Sequence, residues 1–174
     1  MQTVVPISAD SAVPTALANL RQVLGDEAVI TAPAELAFYS QDVYRSGQLP
    51  VAVIRPKSTE QLSAALRAIA PTGLPVVPRG GGMSYTDGYL PARANSIMVD
   101  LLAMNRVIAV DAEDCYVTVE CGSTWKDLFD ALEPQGVRTP FYGPLSGLRS
   151  SVGGALSQGS MFLGSGRYGP VAES

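Results

Sequence analysis

Histidine is absent from this 174-residue chain. Its absence removes the commonest general base and the imidazole metal ligand, and no Ser-His-Asp hydrolase can be assembled from what remains. Cysteine is scarce: only Cys115 and Cys121 occur, with no pair at ligand spacing, so a zinc or iron site is not expected. Both fall on what reads as one strand, roughly 20 Å apart. That is beyond disulfide reach, and both are expected as small buried hydrophobes. Lysine is limited to Lys57 and Lys126, the arginines are scattered, and no basic stripe alternates with aromatics. A nucleic-acid partner is excluded on that ground. No apolar run is long enough to span a bilayer. Met1–Pro6 lacks the basic start and apolar stretch of a secretory signal, so the expectation is a soluble cytoplasmic protein.

What is present describes a folded domain: 47% apolar residues, 16% charged and a net charge of −4. Val13, Leu17, Leu20 and Leu24 recur at helical spacing over 11–24, and Gly25 stops them. A short helix is expected over 33–39, with Thr31 near its cap and Pro33 in its first turn. Residues 41–50 read as a loop. Val51–Arg55 is an apolar strand. Ser58–Gln61 has the form of a capping box, and Leu62, Ala65, Leu66 and Ile69 continue a helix that ends at Pro71–Gly73. Val76 and Val77 open a second strand, expected buried and parallel to the first. Further on, Ser96–Asp100 is a strand, and Arg106–Val110 and Cys115–Glu120 form a hairpin across Asp111–Asp114. A helix capped by Ser123 or Thr124 follows, with Trp125, Leu128, Phe129 and Leu132 as its buried stripe.

Two segments poor in side chains stand apart from this pattern. In the first, Pro75–Pro78 runs into Arg79-Gly80-Gly81-Gly82-Met83-Ser84, with Gly88 beyond. Adjacent glycines weaken regular structure but let the backbone turn sharply and bare its amides. Successive amides form an anion-binding concavity, and Arg79 is expected to add positive charge at its rim. A phosphate or pyrophosphate is the natural occupant, against the alternative of a plain surface turn. The second segment, Phe141–Gly169, is rich in glycine and serine and too irregular to assign elements. Long unstructured loops of this kind tend to be functional, and Ser150, Ser151, Gly153 and Gly154 supply hydroxyls and open amides. Within it Gly164–Gly169 spells a dinucleotide fingerprint letter for letter. No hydrophobic strand precedes it and no acidic ribose partner stands about 20 residues on, so a Rossmann reading is rejected.

Val51–Arg67, Pro75–Gly88, the hairpin from Met98–Asp111 to Glu120–Gly122, and Ser150–Gly159 followed by Gly166–Gly169 together resemble one family. It is the FAD-binding domain of the vanillyl-alcohol oxidase/p-cresol methylhydroxylase superfamily, and the likeness is strongest to the D-lactate dehydrogenase and glycolate oxidase type. The resemblance implies an α+β, PCMH-type FAD-binding fold: a small βαβ subdomain and a second, mixed or antiparallel sheet subdomain, incomplete at its C-terminus. Residues 1–47 are expected as an N-terminal helical segment and 48–174 as the flavin domain. The resemblance also implies that Arg79–Ser84 hold the pyrophosphate and that Ser150, Ser151, Gly153, Gly154 and Ser157 line the flavin side. Pro78, Gly88, Pro144 and Ser146 are expected as further cofactor-binding residues. Gly122 would start a helix behind the cofactor, and Arg167, Tyr168 and Gly169 would close the adenosine end.

Where family members with covalent FAD carry a histidine after the glycines, this chain has Met83, which implies non-covalent FAD. The activity implied is oxidation of an alcohol or 2-hydroxy acid by hydride transfer to the flavin. The substrate domain, and with it any catalytic residue, is expected to lie outside the chain. The alternative is a non-catalytic flavin- or nucleotide-binding module, or a truncated subunit acting with a partner.

Overall fold

Pro14 does not interrupt the first helix, because a proline in the second turn loses only one intrahelical hydrogen bond near an end that has few. In the computed structural model, which describes residues 9–141 and 145–173, that helix is α1, Ala9–Leu24. Its buried line runs through Ala12, Ala16 and Leu20, with Val13, Leu17 and Leu24 only half-buried. The short residues let α1 approach α3, Thr59–Ile69. Between them come β1, Val29–Ile30, α2, Pro33–Tyr39, and β2, Ala52–Ile54. The N-cap of α2 is Ala32, which makes no side-chain cap, and Thr31 adjoins it.

The cap of α3 differs in detail from a reciprocal box. The Ser58 hydroxyl accepts from Gln61 N–H at 3.3 Å, while the Gln61 side chain accepts from Lys57 N–H at 2.8 Å. Two orphan donors are still satisfied, one residue earlier than the motif implies.

The strand order corrects an expectation. β3, Val76–Arg79, does not pair with β2. β4, Ile97–Asp100, lies between them, in the order β1-β2-β4-β3. β2 and β4 are parallel, with Val53 opposite Met98, and both are fully buried. β3 is the edge and is largely exposed. Pro78 explains the place, since a residue without N–H is tolerated at an edge and costs a ladder bond inside a sheet. By pleat alternation Val53 and Met98 share a face, where they pack with Ile30, Leu36 and Tyr39.

Behind that cluster the Tyr39 hydroxyl donates to Asp100 Oδ2 at 2.6 Å. It also accepts from Arg55 Nε at 3.0 Å and Nη2 at 2.5 Å. Burial, then its bond to Asp100, raises the phenol above its ordinary value.

The chain divides into two compact units, one of residues up to Pro78 together with Tyr85–Asp100, the other of Arg79–Ser84 and the residues from Leu101 onward. The second unit holds the hairpin of β5, Val107–Asp111, and β6, Tyr116–Val119. Asp111 Oδ1 accepts from Glu113 N–H and Asp114 N–H, which forms the turn. Cys115 sits in that turn, exposed and at φ +55°. It is therefore neither on the strand nor buried as expected, whereas Cys121 is half-buried.

α4, Trp125–Leu132, starts at a capping box of Thr124 and Asp127. It packs Trp125, Leu128 and Leu132 against Phe141, Val152, Ala155 and Val171. Phe129 is 42% exposed and leaves the predicted stripe. The second glycine-rich segment is not structureless: it contains α5, Val152–Ser157, and a single turn, α6, Ser165–Tyr168.

Candidate functional site

The two glycine-rich segments meet inside the second unit, and their missing side chains are what permits it. A Cβ built on Gly81 would stand 1.6 Å from the Arg149 carbonyl oxygen, and one on Gly80 would stand 2.3 Å from Ser151 Oγ. Backbone therefore lies directly on backbone. From there a chain of hydrogen bonds carries the second segment along residues 121–125. Trp125 N–H donates to Ser150 O, Val152 N–H to Ser123 O and Gly153 N–H to Cys121 O, with a bridge between Thr124 and Ser151. Gly153 and Gly122 are needed for the same reason. A Cβ on Gly153 would meet Cys121 O at 2.6 Å, and one on Gly122 would meet Leu101 O at 2.0 Å. Gly122 N–H in turn donates to Met104 O at 2.8 Å. The site is thus a stack of close backbone approaches, each made at a glycine.

Arg79 is not on the rim. It is 4% exposed, and its guanidinium lies directly beneath Gly82, where a Cβ would stand 2.2 Å from Nη2. Gly82 takes φ +70°, a conformation that folds the loop back over its own arginine. Ser84 and Gly81 are buried, Gly80, Gly82 and Met83 half-buried, and Pro78 and Gly88 exposed. Pro78 and Gly88 belong to the first unit.

The serines of the second segment have internal duties. Ser151 is 3% exposed and its hydroxyl accepts from Gly154 N–H at 3.2 Å as the N-cap of α5. The Ser157 hydroxyl donates to Gly153 O at 2.8 Å. Ser151 is thus taken up inside the chain, whereas Ser157 is exposed and Ser150, Gly153 and Gly154 are half-buried. Pro144 lies outside the described residues, and of Ser146 only the backbone is described, in a 3-10 turn over Leu145–Leu148. Arg167 and Tyr168 line a cavity of about 300 Å³ with Arg138, Pro140, Leu163 and Gly164.

Beneath the hairpin, Glu120 accepts from Arg106 N–H at 2.8 Å and from its Nη2 at 2.7 Å. These bonds hold the Glu120 carboxyl below its ordinary range. Among the described residues no cluster of three metal-ligating side chains occurs, and no helix is long and apolar enough to cross a membrane.

Between Glu133 and Glu173 the sequence has no acidic residue and three arginines, Arg138, Arg149 and Arg167, although the chain as a whole is acidic. Sequence reasoning missed Arg149, whose carbonyl seats Gly81, and Arg138. Neither belongs to a motif, and only the charge imbalance of the segment signals them.

The family model described as "FAD binding domain" matches residues 50–174. The chain is 32% identical over 165 residues to D-lactate dehydrogenase [cytochrome] 1, mitochondrial, of Saccharomyces cerevisiae, covering 90% of this chain and 28% of the yeast protein. It is 31% identical over 152 residues to glycolate oxidase subunit GlcD of Bacillus subtilis, covering 87% of this chain and 32% of that protein. Among solved structures it superposes on alkyldihydroxyacetonephosphate synthase with a TM-score of 0.80 at 20% identity, covering 90% of this chain and 34% of that one. It superposes on p-cresol methylhydroxylase with a TM-score of 0.71 at 23% identity, covering 83% and 29%. The chain thus spans about a third of the length of these proteins.

Proposed function

Because the chain belongs to the FAD binding domain family of FAD-linked oxidoreductases, we propose that it is the flavin-binding part of an enzyme oxidising an alcohol or 2-hydroxy acid. Its cofactor is FAD, which when bound would supply the redox chemistry, as acceptor of a hydride equivalent. The printed activities of the yeast and Bacillus relatives, a lactate dehydrogenase and a glycolate oxidase, support the substrate class.

The residues present fit the cofactor. Gly80–Gly82 offers amides with no side chain of their own to block close approach, backed by the buried Arg79 guanidinium. In this reading the pyrophosphate rests on those amides, and Ser150, Gly153 and Gly154 border the flavin. Gly122 and Ser151 act inside the chain, Gly122 by its N–H bond to Met104 O and Ser151 as the cap of α5, its hydroxyl against Gly80. Arg167 to Gly169 stand toward the adenosine end. The chain's contribution is to bind and orient, and none of its residues is assigned a proton or the substrate.

The observation that carries this reading is the contact of Gly81 with Arg149, which packs two segments far apart in sequence directly against each other. With no histidine among its 174 residues, this chain itself supplies no histidyl link, and the reading is non-covalent binding. Absorption spectra of the purified protein with added FAD test this. Flavin bands that co-elute with the protein and pass entirely into the supernatant on acid precipitation are the expected result. A colourless protein indifferent to FAD refutes the reading in favour of a non-catalytic module, and flavin retained in the pellet refutes the non-covalent assignment.

A further inference from the structure

The acid-free stretch between Glu133 and Glu173 brings two of its arginines to one place. Arg138 and Arg167 line the cavity of about 300 Å³ that Pro140, Leu163, Gly164 and Tyr168 complete. Their meeting is built into the backbone. Gly164 adopts φ +112°, and a Cβ there would stand 2.4 Å from Pro140 O, so only glycine brings this turn against the segment that carries Arg138. The Gly164 carbonyl then accepts from Arg167 N–H at 2.9 Å and Tyr168 N–H at 3.0 Å, while Ser165 Oγ accepts from Phe162 N–H at 2.9 Å. The Tyr168 ring packs edge-on to Phe141 at 6.5 Å, and the Arg167 guanidinium lies 5.3 Å from the Tyr168 ring centroid.

Among the described residues, neither Arg138 nor Arg167 has an ion-pair partner. Two arginines lining one concavity bring like charge to it, and none of the residues described as lining it is a carboxylate. A ligand oxyanion would offset that charge. Guanidinium forks match the paired oxygens of a phosphate or carboxylate, and Pro140, Leu163 and the Tyr168 ring offer apolar surface to whatever carries them.

We propose that this cavity is an oxyanion site, in which Arg138 and Arg167 together take a phosphate or carboxylate group. The site is separate from the Arg79–Ser84 amides and stands whether or not those amides hold the pyrophosphate. The oxyanion can be a phosphate of the flavin nucleotide or belong to a small free anion.

Amide NMR of the full chain, titrated with sodium phosphate at constant ionic strength, tests the site. Saturable shifts are expected at Gly164, Gly166, Arg167, Tyr168 and Gly169. Arg138→Ala and Arg167→Ala should each weaken phosphate at least about tenfold, and Arg138→Lys should recover only part of that loss, because an ammonium lacks the fork. Both arginines are exposed, so unchanged thermal unfolding is expected and verifies the fold. A parallel FAD titration separates the sources. If the alanine variants also weaken FAD, the oxyanion is the nucleotide's. If FAD affinity is unchanged and phosphate still shifts these amides in FAD-saturated protein, it is a free anion.

The proposal is overturned if these amides do not shift saturably. It is equally overturned if both alanine variants bind phosphate as before, or if chloride at equal ionic strength reproduces the shifts. Failure of the pyrophosphate reading would show elsewhere, as FAD leaving the Gly80–Gly82 amides unmoved.

Discussion

Gly81→Ala isolates the contact on which the site rests. Gly81 has an ordinary negative φ, so alanine there suffers no conformational strain and the whole effect is steric. The new Cβ would stand 1.6 Å from Arg149 O and 2.5 Å from its carbonyl carbon, whereas real Cβ atoms keep at least 3.0 Å. The two backbones must therefore part by about 1.4 Å. The obstacle is peptide backbone, already tied down by the bond from Trp125 N–H to Ser150 O, and cannot swing aside as a side chain would. Overpacking of this kind costs about 2–3 kcal/mol, which for a chain of this length lowers the midpoint of thermal unfolding by roughly 5–10 °C.

Circular dichroism melts measure that shift, and quenching of flavin fluorescence on binding measures affinity in parallel. A weakening of FAD by about tenfold or more is expected, since parting the segments disperses the amides that would grip the pyrophosphate. Gly166→Ala, where nothing lies within 4 Å of the new atom, is the control for the melt and should leave the midpoint unchanged. If Gly81→Ala melts within a degree of the parent and binds FAD equally well, the two segments do not lie on each other and the reasoning fails.

Other perturbations have equally definite outcomes. Tyr39→Phe removes the hydroxyl that joins Arg55 and Asp100 and should cost about 1–2 kcal/mol in urea unfolding; an unchanged midpoint would show the buried network to be energetically idle. Ser58→Ala strips the cap of α3 and should cost about 1 kcal/mol in the same assay, with Ser58→Asn restoring most of it. The folded pKa of Glu120 is depressed by its bonds from Arg106. The stability it contributes is therefore present above its unfolded pKa and lost as pH falls through the folded value. Melts across the acid range should show Glu120→Gln with a flatter pH dependence than the parent, and an identical slope would refute the assignment.

The helices and most strands were legible because their signals are local. Ser58 before Leu62, Ala65 and Ile69 marks the start and buried face of α3 without reference to anything distant. Strand order is not local. Nothing in Val76–Arg79 says that β4 will intervene between it and β2, although Pro78, read as an edge marker, argued against the buried place predicted for it. α5 escaped notice because six residues with two adjacent glycines have little helical propensity. The Ser151 cap and the bonds to Ser123 and Cys121, all tertiary, hold it in place. In the candidate site the glycines were readable as positions of close approach. Their first partners are other parts of the chain, however, and that distinction requires coordinates. The burial of Arg79 was hidden likewise, since it depends on the turn at Gly82.

The seating of Gly81 on Arg149 and of Gly80 on Ser151 bears on how such a protein can be altered. Each strip is cast against the other, so a graft that replaces one of them with its counterpart from a cousin imports half of a mould. Exchanging both together keeps the fit. Attempts to reshape cofactor preference in this scaffold should therefore treat residues 79–84 and 149–154 as a single inheritable part.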